Sequence, residues 1–210
     1  MSIYEINDIC EYNREKAEAF IQKILKISYK EWFEELSSNY VPRVIQVSEI
    51  PQFSNFYIGT VEVVSLLRRL GDYGPTFNKI GNDLLGRGRN KIAYLKYGEN
   101  HAKLAEQLGL VKTEKGGRVI KVFLSEVGKI FDGLDGEEKT EYLNKVILLM
   151  PIIYNITFSR QKIVIKEELM KYLSTSTAIR RGSNVKALMK RVVETYEGLV
   201  DVEKYVNLRG

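Results

Sequence analysis

Charged side chains between residues 132 and 139 have the types that metal-dependent nucleases use. Asp132 and Asp135 precede a Glu137-x-Lys139 pair. Such nucleases need an Asp well upstream of an Asp/Glu-x-Lys, so that carboxylates hold a divalent ion and activate water. Here the acids lie too close together in sequence. Asp135 as a helix cap, with Glu137 and Glu138 in the favourable first turn, explains them better. We therefore predict no catalytic residues, and a diverged endonuclease is the alternative.

Cysteine and histidine are too scarce for most other site chemistry. The chain has one Cys, Cys10, and one His, His101. A structural zinc site usually needs four such ligands, so no metal or cofactor is expected. A single Cys excludes an intramolecular disulfide and favours a reducing cytosol. The start of the chain is polar and acidic, unlike a secretory signal, and no apolar stretch approaches the roughly 20 residues of a membrane span. We expect a cytoplasmic protein without a membrane partner.

Basic residues are unevenly distributed along the 210 residues, whose net charge is +5. The first 50 residues hold 6 basic and 9 acidic side chains. From Gly86 to Lys121 there are 9 basic and 3 acidic residues, and from Lys171 to Arg191 there are 6 basic and no acidic ones. Basic clusters attract nucleic acid by neutralising phosphates. The alternative is a solvated positive face with no partner.

Apolar periodicity and turn residues define the elements that carry the first cluster. "FYIGTVEVVSLLRRLG" predicts a helix ended by Gly71, and "PTFNKIGNDLLG" a helix with Pro75 in its first turn. "KYGENHAKLAEQLGLV" predicts a third helix, followed by two short strands about Gly116-Gly117 and a helix capped by Ser125. Three helices followed by a hairpin describe a winged helix-turn-helix, in which the third helix reads DNA.

The C-terminal part repeats this order loosely, without close sequence repetition. "DGEEKTEYLNKVILLMP" and "KEELMKYLSTS" predict helices, and "PIIYNITFSRQKIVI" a strand or another helix. "TAIRRGSNVKALMKRVVETYEG" predicts a second recognition helix, with "LVDVEKYVNL" as a closing strand or small wing. We predict a mainly α protein with small β-wings (α+β). An N-terminal helical segment, 1–50, precedes two winged helix-turn-helix modules, 51–135 and 136–210.

Two stretches resemble the recognition domains of type IIS restriction endonucleases and related restriction-system proteins. They are "HAKLAEQLGLVKTEKGGRVIKVFLSEVGKIFDGLDGEEKTEYLNKVILLMPII" and "STSTAIRRGSNVKALMKRVVE". The first has a helix ending in Leu-Gly-Leu, a wing and a helix start at Leu124-Ser125. The second has a Thr-x-x-Arg-Arg-x-Ser element before a helix. Over about residues 55–210, the resemblance implies double-stranded DNA binding by two successive winged helices. The sequence departs from those endonucleases because it has no recognisable nuclease domain.

The candidate DNA contacts follow from charge, hydrogen-bonding capacity and position. Asn and Gln can pair with adenine, Lys and Arg with guanine or phosphate, and a glycine-rich basic loop can follow a backbone or enter a minor groove. In the first module the candidates are Arg87, Arg89, Lys91, Lys96, Tyr97, Asn100, His101, Lys103, Lys115 and Arg118. In the second they are Thr175, Thr177, Arg180, Arg181, Ser183, Asn184, Lys186, Lys190 and Arg191.

We expect a non-catalytic, sequence-specific double-stranded-DNA-binding protein or recognition module of a restriction-modification or phage-defence system. Its further partner would be a nuclease subunit or a second copy of the chain. Three alternatives remain open: a small restriction endonuclease, a winged-helix transcriptional regulator, and a protein-interaction module docked through residues 1–50.

Overall fold

A computed structural model describes residues 13–86, 88, 90–117 and 119–205. Cys10, Arg87, Arg89 and Arg118 therefore lie outside the described residues. The described chain is mainly helical, with one two-stranded antiparallel sheet. The coarse α+β prediction is confirmed at this level.

The chain divides into two compact units that are not continuous in sequence. We call residues 13–23 and 55–139 the hairpin unit, and residues 24–54 and 140–205 the C-terminal unit. The sequence pattern placed its divisions after residues 50 and 135, a few residues from two of these boundaries. What the pattern did not indicate is that residues 24–54 group with the C-terminal part.

The chain enters with two helices that follow local capping rules. Helix α1 spans Arg14–Lys26 and helix α2 spans Tyr29–Ser38. Ser28 caps α2, because its Oγ accepts from the Glu31 amide at 3.2 Å while Glu31 Oε2 accepts from the Ser28 amide at 3.0 Å. This reciprocal capping box satisfies two amides that a helix start leaves unpaired.

The hairpin unit has the predicted order of helices and strands. A π-helical turn, Ile58–Glu62, leads into α3, and Gly71 ends α3 with a φ of +74°. Pro75 lies just before the next helix and not in its first turn, because Thr76 is the N-cap and accepts from the Lys79 amide. The elements are α3 (Val63–Leu70), α4 (Phe77–Leu85), α5 (Lys91–Gln107), β1 (Val111–Gly116), β2 (Val119–Leu124) and α6 (Glu126–Asp132).

A third backbone segment extends the hairpin. Val111 pairs with Leu124 at one end of the hairpin and Gly116 with Val119 at the other. The Val122 amide donates to the Pro75 carbonyl at 3.0 Å, and Thr76 forms an antiparallel bridge with Lys121. The residues just before α4 therefore add one bridge to the outer side of β2.

The C-terminal unit is built from helices around a strongly apolar segment. Ile147, Leu148, Ile152 and Ile156 are fully buried. Of the stretch that the sequence left open as strand or helix, Pro151–Phe158 is a helix, in which Pro151 takes a first-turn position where its missing amide costs nothing. The residues directly after it are not helical, and Ile163 forms an isolated β-bridge. The elements are α7 (Gly136–Val146), α8 (Pro151–Phe158), α9 (Ile165–Met170) and α10 (Thr175–Thr195).

No closing strand or hairpin follows α10 within the described residues. Instead, Val202–Lys204 forms a short 3-10 helix. One parallel bridge joins Ile163 to Tyr205, and the Ile163 amide donates to the Lys204 carbonyl at 2.8 Å. Within the described residues, the predicted closing strand is therefore represented only by this single bridge.

A buried lysine joins α7 to the end of α1 inside the C-terminal unit. The Lys145 side chain is fully buried, and its Nζ donates to the Ile24 carbonyl at 2.8 Å and to Glu141 Oε1 at 2.6 Å. Its own carbonyl accepts from the Trp32 indole at 2.9 Å. Buried charges require such compensation, so this lysine holds three helices of the unit in register.

Helices α4 and α5 touch through their backbones at two glycines. A Cβ added to Gly81 would lie 1.9 Å from the Tyr94 carbonyl oxygen, and one added to Gly98 would lie 1.9 Å from the Phe77 carbonyl oxygen. Both distances are far below any van der Waals contact. Only glycine at both positions permits this approach.

Gly98→Ala should therefore destabilise the protein by about 2–3 kcal/mol or more, since the added methyl group meets a rigid carbonyl in a packed interface. Chemical denaturation monitored by circular dichroism gives the free energy of unfolding. Gly136→Ala is the matched control, because it lies in a helical first turn with nothing within 4 Å of its added Cβ. Equal stabilities of the two variants would contradict the crossing as described.

Candidate nucleic-acid interface

The start of α5 is fixed by local hydrogen bonds. Asn90 is the N-cap and its side chain accepts from the Ala93 amide at 2.8 Å. Asn78 of α4 donates to the Lys91 carbonyl at 3.0 Å, and Tyr94 donates through its hydroxyl to the Gly86 carbonyl at 3.0 Å. These bonds tie the connection between the two helices to α5. The first turns of α5 are thereby held in one orientation.

The first two turns of α5 form its most exposed part. Lys91 and Lys96 are exposed, and so are two aliphatic side chains: Ile92 at 66% and Leu95 at 44%. The sequence pattern did not indicate that Ile92 and Leu95 would be exposed beside two lysines. Exposure cannot be derived from the local pattern, because it depends on how α4 and the hairpin cover the other face.

Farther along α5, the predicted contacts are less available to a ligand. Tyr97, Asn100 and Lys103 are each half-buried. The Lys103 ammonium lies 2.7 Å from Glu99 Oε1, one turn earlier. Lys103 is therefore partly neutralised where it stands, and a polyanion would have to compete with Glu99 for it.

His101 is buried, so its expected outward orientation is wrong. It is 1% exposed, its ring lies 4.1 Å from that of Tyr97, and its Nδ1 lies 2.7 Å from the Tyr97 carbonyl oxygen. Because a carbonyl can only accept, Nδ1 carries the proton in this contact. Burial lowers the pKa of His101. The residue belongs to the helix packing and not to a base-reading surface.

The β-hairpin is joined to α5 by an acidic residue. Glu106 Oε1 accepts from the Thr113 amide at 3.1 Å and from the Thr113 hydroxyl at 2.6 Å. Of the two predicted hairpin contacts, Lys115 is exposed and Arg118 lies outside the described residues. The nearby Lys121 donates to the Tyr73 carbonyl at 3.2 Å.

Helix α10 keeps part of the second candidate set on the surface. Thr175, Arg180, Ser183 and Lys190 are exposed, while Thr177 and Lys186 are half-buried. Ser183 donates to the Arg180 carbonyl, a local helix contact that leaves its oxygen able to accept. The inward face of α10 carries the predicted apolar residues Val185, Leu188, Met189 and Val192, all buried.

Three other members of that set donate to this chain's own groups. Arg181 Nη1 donates to the Val47 and Ile50 carbonyls at 2.9 and 3.0 Å, and Asn184 donates to the Gln52 carbonyl at 2.7 Å. Arg191 Nε donates to Asn144 Oδ1 at 2.8 Å. Burial lowers the pKa of both Arg181 and Arg191. These side chains anchor α10 to residues 47–52 and to α7.

The acidic residues after α6 are arranged for capping and not for metal binding. Asp135 Oδ1 accepts from the Glu137 and Glu138 amides at 2.8 and 2.9 Å, as the cap interpretation predicted. Asp132 lies 3.5 Å from the Ser65 hydroxyl and 3.9 Å from the Arg68 guanidinium. No group of three or more potential metal-ligating acids, Cys or His occurs within the described residues.

A polar cavity of about 570 Å³ in the C-terminal unit has charged walls, including Arg160, Lys162 and Glu167. Two of its lining residues are already engaged. Asn155 exchanges two hydrogen bonds with the Arg43 backbone, each of 2.8 Å, and the Arg43 guanidinium stacks 3.6 Å from the Tyr154 ring centre. The cavity has no nucleophile paired with a base among the contacts described.

The chain matches no protein-family model, no curated protein and no solved structure. Among the residues that the structure describes, none of the helices is both long and apolar enough to cross a lipid bilayer.

The depressed pKa of His101 gives a pH prediction. Below the unfolded-state pKa of about 6.5, the unfolded chain takes up a proton more readily than the folded chain. Stability should fall as the pH drops from 7 towards 5, and His101→Leu should lose less stability than the wild type over that range. Denaturation curves at both pH values measure this difference. An identical pH dependence in the two proteins would contradict the buried neutral imidazole.

Proposed function

We propose that the chain binds double-stranded DNA without cutting it, through a winged helix-turn-helix in the hairpin unit and a helix-turn-helix formed by α9 and α10 in the C-terminal unit. The observation that carries this proposal is the hairpin unit's arrangement. Helix α5 is fixed against α4 by a backbone contact, it is followed directly by a β-hairpin, and its first two turns are exposed and basic. A helix of this kind enters a major groove by its N-terminal residues.

Three further features support the first module. The bridge between Thr76 and Lys121 adds a short third segment to the hairpin, and this segment lies between α3 and α4 in the chain. Exposed Lys91, Lys96 and Lys115 supply positive charge on the third helix and the hairpin. Phosphate contacts from such positions orient a protein on DNA.

The second module rests on α9, the turn after it, and α10. The exposed side of α10 offers Thr175, Arg180, Ser183 and Lys190, and the run from Lys171 to Arg191 contains no acidic residue. Hydroxyl and guanidinium donors without neighbouring carboxylates suit a phosphate backbone. Arg181, Asn184 and Arg191 contribute by fixing this helix and not by touching DNA.

The proposal extends to the cellular setting that the sequence resemblance implies. The chain would act in the cytoplasm as the recognition component of a restriction-modification or phage-defence system. Cleavage, where it occurs, would come from a separate nuclease subunit.

Fluorescence anisotropy with labelled duplexes tests DNA binding directly. Affinity should fall steeply between 50 and 200 mM salt, with about one unit of slope in log K against log salt for each phosphate contact. Lys96→Ala and Arg180→Ala should each weaken binding to all duplexes and lower the slope by about 1.

Lys30→Ala is the matched control for those variants. It removes the same charge from α2, where the side chain is 71% exposed and lies 4.0 Å from Glu34. Its affinity and salt slope should equal those of the wild type. Failure of the wild type to bind any duplex at low salt, or a flat salt dependence, would refute the proposed function.

A further inference from the structure

The two candidate recognition helices share a six-residue pattern at the same helical positions. The fifth to tenth residues of α5 are Leu-Lys-Tyr-Gly-Glu-Asn, from Leu95 to Asn100. The fifth to tenth residues of α10 are Ile-Arg-Arg-Gly-Ser-Asn, from Ile179 to Asn184. Both stretches read aliphatic, cation, any residue, Gly, any residue, Asn. The match becomes visible only when the helix starts are known, because the flanking sequences differ.

Burial follows the same pattern in both helices. The eighth residue of each, Gly98 and Gly182, is buried against the preceding helix. A Cβ on Gly98 would lie 1.9 Å from the Phe77 carbonyl oxygen and 2.7 Å from the amide nitrogen of Gly81, the fifth residue of α4. A Cβ on Gly182 would lie 3.9 Å from Cδ1 of Leu169, the fifth residue of α9. In both units the glycine therefore lies where the two helices cross. In the C-terminal unit a side chain separates the two helices at this point.

The backbone that leads into each helix pair also corresponds. Two residues before α4, the Pro75 carbonyl accepts from Val122, which follows α5 in the chain. Two residues before α9, the Ile163 amide donates to the carbonyl of Lys204, which follows α10. Each unit thus has a short segment, two helices and a returning segment bound to the first. The two β-bridges at these places differ in direction, antiparallel in the hairpin unit and parallel in the C-terminal unit, so the units share this order of segments and not the geometry of the bridge.

The pattern places an aliphatic side chain and a cation side by side in solvent. Leu95 is 44% exposed and Ile179 is 56% exposed, and the cations that follow them, Lys96 and Arg180, are both exposed. About half of each aliphatic side chain is therefore open to a partner. A partner for this pair must offer an apolar group close to negative charge.

The major groove of DNA offers that combination at thymine. Its C5-methyl group is an apolar feature of the groove floor, and phosphates line the groove edges. The acid-free run around Arg180 and the basic excess around Lys96 favour a polyanion over a protein surface. The hydrogen-bonding residues of the pattern are less available: Asn184 donates to the Gln52 carbonyl, and Glu99 is paired with Lys103.

We propose that Leu95 and Ile179 read thymine methyl groups, while Lys96 and Arg180 hold the adjacent phosphates. This inference rests on the proposed function, and it specifies the target: a duplex that presents thymine to each of two equivalent helices. Apolar contact, and not the hydrogen-bond code of Asn100 and Lys103, supplies the direct discrimination.

The test compares thymine with deoxyuridine, which lacks only the methyl group. A duplex is first selected from a random pool by the wild-type protein, and each thymine in the enriched motif is then replaced by deoxyuridine. At the thymines that are read, we expect a three- to fourfold loss of wild-type affinity per methyl group, about the free energy of one buried methylene. Leu95→Ala and Ile179→Ala should each be insensitive to one set of replacements.

Ile92→Ala is the matched control. Ile92 lies on the same exposed part of α5 at 66% exposure, but its counterpart at the second position of α10 is Ser176. This variant should keep the full deoxyuridine penalty. If the pool yields no motif, if deoxyuridine has no effect, or if Leu95→Ala and Ile179→Ala keep the wild-type penalty, the inference is wrong while DNA binding stands. If the protein binds no duplex, the proposed function fails with it.

Discussion

The backbone contact between Gly81 and Gly98 is the constraint on which the hairpin unit depends. Helices normally keep their axes 8–10 Å apart because side chains separate them. Here a Cβ on either glycine would meet a carbonyl oxygen at 1.9 Å, so no side chain intervenes. The crossing falls at the eighth residue of a helix of 17 residues. The two turns before it contact α4 on one side, and their other side exposes Lys91, Leu95 and Lys96.

The C-terminal unit also has two helices that cross near a glycine, but different contacts hold them together. Leu169 occupies the place that Gly81 takes in the other unit, so α9 and α10 pack through a side chain. Helix α10 is then held from its other side by donors to residues 47–52. The Arg181 and Asn184 side chains that make these hydrogen bonds are not available to bind DNA bases. Breaking the bonds would leave the Val47 or Gln52 carbonyl oxygen without this donor. The hydrogen bonds that hold α10 in place therefore reduce the number of its side chains that can bind DNA bases.

Local rules predicted the parts of the fold that depend on neighbouring residues in sequence. Ser125 and Asp135 cap helices as expected, and Gly71 ends one with a positive φ. Predictions of outward orientation succeeded less well. His101 precedes the buried Leu104 and Leu108 by three and seven residues, so the helical period places it on the inward face of α5. The partners of Arg181 lie more than 130 residues away in sequence, and no local pattern encodes them.

The shared pattern of α5 and α10 is likewise not evident from sequence alone, because it depends on where each helix begins and what it packs against. Only three features are common to the six residues: an aliphatic–cation pair, a glycine and an asparagine. Four matching positions in two unrelated sequence contexts do not by themselves identify a structural repeat. The pattern gains meaning because each copy begins at the fifth residue of a helix and places its glycine at a crossing.

The modest charge of the protein limits how such a surface could discriminate between sequences. With a net charge of +5 and several candidate cations bound to its own groups, few side chains remain to hold phosphates. Two methyl contacts of three- to fourfold each yield only about a tenfold preference. Any larger preference must come from other base contacts or from sequence-dependent DNA shape. When both helices bind the same duplex, their separate preferences for thymine multiply in the binding constant. Two weakly discriminating helices in one chain therefore give a larger sequence preference than either helix alone.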